Sequence, residues 1–190
     1  MIALLGGSFN PIHRGHTGLA QWIVANGYAD ETWLMVSPQN PLKNAPDLVD
    51  EATRLKWARM ACKPLSHVAA SDFEFTLPRP SYTYQTLKAL HKAYPQKEFA
   101  LTIGADNWLL FHKWKNFSWI LQHVPILVYP RKGFEIDAST LPKSVKLIPA
   151  PLFPYSSTAI RQQLRQKQDV STMLDHNVLT DIIANKSYLA

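Results

Sequence analysis

Two histidines, His13 and His16, flank Gly15 in the run GGSFNPIHRGH (residues 6–16), which follows directly on the apolar residues IALL. A glycine pair such as Gly6-Gly7 lets the backbone turn sharply and approach a ligand closely. A helix beginning at the histidines would offer free N–H groups and a positive dipole end, which suit an anion. Imidazole N–H groups add hydrogen bonds to phosphate oxygens. The chemistry within reach of this set is the holding of a phosphate chain.

A second cluster stands far along the chain, at Tyr155-Ser156-Ser157-Thr158-Ala159-Ile160-Arg161. Ser and Thr at a helix start cap free N–H groups, which would account for them without any ligand. They could equally meet an anion, and Arg161, one turn inside, could face the same charge. Both readings stay open at this level.

Other chemistries fit less well. Histidines at i and i+3 can bind zinc, but no third His, Cys or carboxylate stands near them in the sequence, so no protein-held metal is expected. The run is neither the G-x-G-x-x-G fingerprint nor the G-x-x-x-x-G-K-S/T loop. Cys62 is the only cysteine, which excludes an intrachain disulfide, and its place in a helical pattern makes it a small core hydrophobe.

These residues need a scaffold, and the hydrophobic periodicity supplies one. Apolar runs at 2–5, 32–36, 68–70, 99–103, 126–129 and 145–148 predict six strands. Helical patterns alternate with them at 16–25, 50–62, 81–94 and 108–123, the last in two pieces, and continue at 156–166 and 178–185. Strands buried on both faces and separated by helices predict an α/β fold with a doubly wound parallel sheet. The 190 residues suit a single domain over 1–190, with 156–190 as a small helical end. Residues 38–48 and 133–143 read as surface loops. Ligands of such sheets bind beyond the carboxyl ends of the strands, so the residues after positions 5, 36, 103 and 148 should share one crevice.

Composition sets the broad class. Hydrophobic residues make up 46% and charged residues 18%, a globular balance. No apolar run is long enough to cross a bilayer, and the N-terminus lacks the pattern of a secretory leader, so a cytoplasmic protein without a membrane partner is expected. The net charge of +6 favours anionic partners. Lys and Arg are scattered apart from clusters at 113–115 and 161–167, which favours small anions over nucleic acid.

The run at 6–16 resembles the GGTFDPIHxGH signature of the nucleotidyltransferases related to class I aminoacyl-tRNA synthetases, with Ser8 for threonine and Asn10 for aspartate. Residues 155–161 resemble the I-S-S-T-x-I-R motif of the same superfamily, with Tyr155 for isoleucine. Further segments are similar to nicotinate-mononucleotide adenylyltransferases: Ile103-Gly104-Ala105-Asp106 with Phe111-His112-Lys113-Trp114, and Pro80-Ser81-Tyr82-Thr83 with Thr86-Leu87. Ser37-Pro38-Gln39-Asn40-Pro41-Leu42-Lys43 and Val128-Tyr129-Pro130-Arg131-Lys132-Gly133 also match, the former altered around Leu42. The matches run in the family's order along most of the chain.

The resemblance implies a Rossmann-like nucleotidyltransferase fold and adenylyl transfer from ATP to nicotinate mononucleotide, with Mg2+ carried by the ATP. It implies a catalytic set of His13, His16, Lys43 and Arg161. For ATP it implies Gly6, Gly7, Ser8, Phe9, Gly15, Gly104, Asp106, Ser156, Ser157 and Thr158. For the mononucleotide it implies Asn40, Tyr82, Thr83, Trp114 and Arg131. An electron-poor pyridine ring suits aromatic stacking on Trp114 and Tyr82, whereas Trp108 and Trp119 read as core residues. The planar fork of Arg131 suits a carboxylate or phosphate.

Two rivals share parts of this pattern. Phosphopantetheine adenylyltransferases and cytidylyltransferases have the H-x-G-H element without the other segments. A non-catalytic basic nucleotide- or RNA-binding module could keep the cradle alone. The sequence does not separate nicotinate from nicotinamide mononucleotide, and it is compatible with a homo-oligomer.

Overall fold

The computed structural model describes residues 1–38 and 48–189. Among them the chain runs β1 (Ile2–Gly7), α1 (Arg14–Ala25), β2 (Glu31–Val36), α2 (Glu51–Cys62), β3 (Val68–Ser71), α3 (Thr83–Ala93) and β4 (Phe99–Gly104). It continues through α4 (Ala105–Leu109), α5 (Phe117–His123), β5 (Ile126–Tyr129), β6 (Val145–Leu147), α6 (Ser157–Arg165) and α7 (His176–Ala184). The expected elements are present. The segment at 108–123 is in fact divided into α4, a 3-10 turn at Phe111–Lys113 and α5.

The strands form one parallel sheet in the order β3-β2-β1-β4-β5-β6. The order reverses between β1 and β4, so the crevice between their carboxyl ends is the switch point where ligands of doubly wound sheets bind. Alternate residues of β1 serve two cores. Ala3 and Leu5 join one with Ile23, Leu34 and Ile160; Ile2 and Leu4 join the other with Leu90, Phe99 and Ile126. Burial on both faces is why the strand reads as continuous apolar sequence. Cys62 lies in the first core, where burial pushes its thiol up to about 12.

The glycine pair does not make the expected turn. Gly6 and Gly7 are the last residues of β1, and Gly7 still pairs with Val36. The chain turns instead at buried Phe9, whose φ is 47°. A Cβ at Gly6 would meet nothing within 4 Å, while one at Gly7 would lie 3.1 Å from the Phe9 ring.

One residue holds this turn to its neighbours. Arg54, on α2, is fully buried. Its Nε donates to the carbonyl of Val49 at 2.8 Å, one terminal nitrogen donates to Ser8 at 2.5 Å and Ser37 at 2.8 Å, and the other donates to Pro38 at 2.8 Å. A planar guanidinium with five N–H donors can serve these acceptors from one side chain, which an ammonium cannot. Arg54→Met should leave those carbonyls unsatisfied and destabilise the protein by roughly 3 kcal/mol or more. Urea denaturation measures this, and a loss under about 1 kcal/mol would contradict the assignment.

Candidate active site

Helix α1 begins two residues earlier than expected, with His13 as its N-cap in extended conformation. The His13 backbone N–H donates to Nδ1 of His16 at 3.2 Å, and the two rings stack with centroids 3.7 Å apart. Phe9 meets His16 edge-on at 4.9 Å. Gly15 makes room for the pair, since a Cβ there would lie 3.1 Å from the His13 ring and 3.3 Å from Cβ of Phe153.

That packing decides the protonation states. Burial, then the charge of Arg131, lowers His13 to about 4, against a hydrogen bond of its backbone that raises it. Burial, then His13, then Arg131 hold His16 well below the ordinary imidazole value. Both rings are therefore neutral near pH 7. Nδ1 of His16 is committed as an acceptor, so its proton sits on Nε2, leaving that atom as a hydrogen-bond donor. Nδ1 of His13 is buried without a hydrogen-bond partner.

Helix α6 closes on the same loop. Ser156 is its N-cap and accepts from Ala159 N–H at 3.5 Å. Ser157 Oγ donates to the carbonyl of Pro11 at 3.1 Å. Arg161 donates to the carbonyl of Asn10 at 2.8 Å and to Thr158 Oγ1 at 3.4 Å. Its Nε is buried and without a partner. Both early readings of this cluster thus have a foothold: Ser156 caps the helix, and Arg161 reaches the loop of the histidines. Tyr155 lies 6.1 Å from the His13 ring.

The ends of β4 and β5 supply a third side. Arg131 Nε stands 3.5 Å from Asp106 Oδ1, both side chains partly exposed. A Cβ on Gly104 would come within 2.4 Å of that carboxylate oxygen and 3.0 Å of the Arg131 side chain, so a larger residue there would displace the pair. Arg131, expected for the mononucleotide, is also close enough to lower both histidines, which puts it beside the candidate triphosphate residues.

The aromatic candidates gather elsewhere along this edge. Tyr82 is the N-cap of α3, Thr83 its first residue, and Lys115 Nζ lies 4.5 Å over the Tyr82 ring. Lys115 directly follows Trp114 in the chain. Trp114 is half-buried and packs on Phe111 at 5.2 Å. Trp108 and Trp119 pack on the same core as expected. Asn40 and Lys43 lie outside the described residues.

Sequence reasoning passed over several residues of this region. Arg54 had a signal, because it shares the helical stripe of Trp57, Ala58 and Ala61, where an arginine must be buried. Phe153, packed against Gly15 and Gly18, had none beyond its apolar type. Nor had Glu74, which accepts from Thr86 Oγ1 at 2.9 Å and whose carboxyl burial pushes up.

The chain matches the family model described as cytidylyltransferase-like over residues 4–163. It is 45% identical to a protein of Bacteroides thetaiotaomicron named "Probable nicotinate-nucleotide adenylyltransferase", over 92% of this chain and 87% of that one. A protein of the same name from Bacteroides fragilis is 44% identical, over 95% of this chain and 90% of its own. Among solved structures, Plasmodium falciparum nicotinic acid mononucleotide adenylyltransferase complexed with NaAD superposes with a TM-score of 0.80. It is 21% identical and covers 98% of this chain and 96% of its own, a likeness of fold.

The depressed imidazole values have a measurable sign. Between the folded value of about 4 for His13 and an unfolded value near 6.5, the unfolded chain binds more protons. The contribution of His13 and His16 to stability is present above that window and is lost as pH falls through it. In the ligand-free protein, the NMR ring signals of His13 and His16 should stay in the neutral form from pH 8 down to about pH 5. A midpoint near 6.5 for either would contradict the stacked, buried arrangement.

Proposed function

The chain belongs to the cytidylyltransferase-like family and, within it, to the nicotinate-nucleotide adenylyltransferases, and we propose that it transfers the adenylyl group of ATP to nicotinate mononucleotide. The products are nicotinate adenine dinucleotide and pyrophosphate, a step of NAD biosynthesis. The observation that carries this reading is the neutral histidine pair at the start of α1, with an Nε2–H donor left on His16, while Arg161 is bonded to the Asn10 carbonyl of the same loop.

In this reading an oxygen of the mononucleotide 5′-phosphate attacks the α-phosphorus of ATP. The new P–O bond forms as the bond to the β-phosphate bridge breaks, and pyrophosphate leaves. The attacking oxygen is already anionic near neutral pH, so the step needs no general base and no protein nucleophile. What the protein contributes is placement and charge stabilisation. His13 and His16 would donate hydrogen bonds to phosphate oxygens, while Arg161 and Lys43 would offset charge moving onto pyrophosphate. Gly6, Gly7, Ser8, Phe9 and Gly15 would shape the approach to the start of α1, whose positive dipole end favours an anion. Ser156, Ser157 and Thr158 would border the triphosphate at the start of α6.

Mg2+ entering with ATP is part of the proposal. Among the described residues no three His, Cys, Asp or Glu side chains gather into a metal cage. An ion held mainly by phosphates and water suits such a donor set. Asp106 Oδ1, which pairs with Arg131 at 3.5 Å but makes no hydrogen bond, would take a metal-bound water or a ribose hydroxyl. When bound, the ion neutralises phosphate charge. Tyr82, Thr83 and Trp114, with Asn40 and Arg131, would take the mononucleotide, the rings stacking on its pyridine. Among the described residues no helix is long and apolar enough to cross a membrane. A cytoplasmic site of action accords with that and with the small anionic substrates.

Two measurements test this. Pyrophosphate should be released from ATP on addition of nicotinate mononucleotide, faster than with nicotinamide mononucleotide. No release with any mononucleotide would favour a binding module instead. His16→Ala should lower kcat by about 10²- to 10³-fold with an unchanged circular dichroism spectrum. A folded variant with normal turnover would remove His16 from the mechanism.

A further inference from the structure

The segment from Met173 to Tyr188 grips the histidine loop at two points. At its start, the carbonyl of Met173 accepts from the backbone N–H of Arg14 at 2.9 Å, and that of Leu174 accepts from Arg14 Nε at 3.2 Å. Helix α7 is then fixed to α2 by Asp181, which accepts from Lys56 Nζ at 2.5 Å and Trp57 Nε1 at 2.8 Å. Beyond α7 the chain reverses, with φ of 52° at Lys186 and 67° at Tyr188. The Tyr188 ring comes to 5.9 Å from that of Trp57, and its hydroxyl donates to Oδ1 of Asn10.

Asn10 is 4% exposed and joins three parts of the site. Its Oδ1 also accepts from the backbone N–H of Val49 at 3.2 Å, and its own carbonyl accepts from Arg161 at 2.8 Å. An amide oxygen has two lone pairs, so both donors are accommodated without a net charge.

We infer that Tyr188 is a positioning residue: by holding Asn10 from the far end of the chain, it sets the placement of the histidine loop and of Arg161 for the nucleotide triphosphate. The inference rests on the nucleotide-binding reading above, but not on the identity of the acceptor. It assigns the last turn of the described chain a part in ATP affinity rather than only in packing.

The test is Tyr188→Phe in the full chain, which removes the hydroxyl and keeps the ring against Trp57. Binding of α,β-methylene-ATP, followed by tryptophan fluorescence, needs no acceptor and should weaken about five-fold, the scale of one lost hydrogen bond. KM for ATP should rise in parallel, while KM for the mononucleotide stays within two-fold and the melting temperature falls by no more than about 4 °C. Tyr188→Leu should melt earlier yet bind the analogue no more weakly than Tyr188→Phe. The inference is overturned if Tyr188→Phe binds the analogue like the parent, or if it weakens both substrates equally. A parent chain that fails to bind the analogue at all would sink the nucleotide reading and the positioning with it.

Discussion

The buried guanidinium of Arg54 is the constraint on which the candidate site depends. Burying a charge costs several kcal/mol unless its hydrogen bonds are satisfied. Here carbonyl oxygens from Ser8, Ser37, Pro38 and Val49 satisfy it, drawn from three separate segments of the site. Ser8 lies where the chain leaves β1 for the histidine loop. Ser37 and Pro38 follow β2, and Val49 precedes α2. One side chain thus fixes the mouth of the crevice, on both sides of the stretch that carries Asn40 and Lys43. With Ser8 held, Phe9 can turn inward and support His16.

The electrostatics follow from that geometry. Two imidazoles stacked at 3.7 Å, buried and facing Arg131, cannot both carry charge, and the free protein keeps them neutral. Neutral imidazoles can donate hydrogen bonds without repelling the nearby arginines. The positive charge comes instead from guanidinium groups, which remain protonated whatever their surroundings. An incoming polyphosphate would favour the protonated imidazoles and raise their pKa values, so nucleotide binding and proton uptake are coupled in this arrangement. The strand order places these groups together, because β1 and β4 are neighbours at the reversal and each ends in glycine.

Much of this was legible in the residues. The apolar runs marked the six strands because parallel strands are buried on both faces, and the helix breaks followed from Pro and Gly positions. The run at 6–16 announced its chemistry through residue types alone. What stayed hidden is long-range. The glycine pair suggested the turn, yet β1 continues through Gly7 because its pairing with β2 extends that far, and Phe9 turns instead. Asn10 could be noticed but not explained, since its partners Val49, Arg161 and Tyr188 lie 39, 151 and 178 positions away. Arg54 was visible on an apolar helical stripe, but its acceptors are main-chain atoms and leave no trace in residue type. The pairing of Arg131 with Asp106 likewise depends on β4 and β5 lying side by side.

The central claim is that this site works by placement, with no side chain forming a bond to the transferred group. The neutral ring of His13 gives that claim a real competitor, because a neutral imidazole is a nucleophile. The stereochemical course at phosphorus separates the two. With a single diastereomer of adenosine 5′-O-(1-thiotriphosphate) as donor, one direct displacement by the mononucleotide phosphate predicts a dinucleotide inverted at the former α-phosphorus. Retention of configuration would show two successive displacements through an adenylylated residue, and would contradict the account.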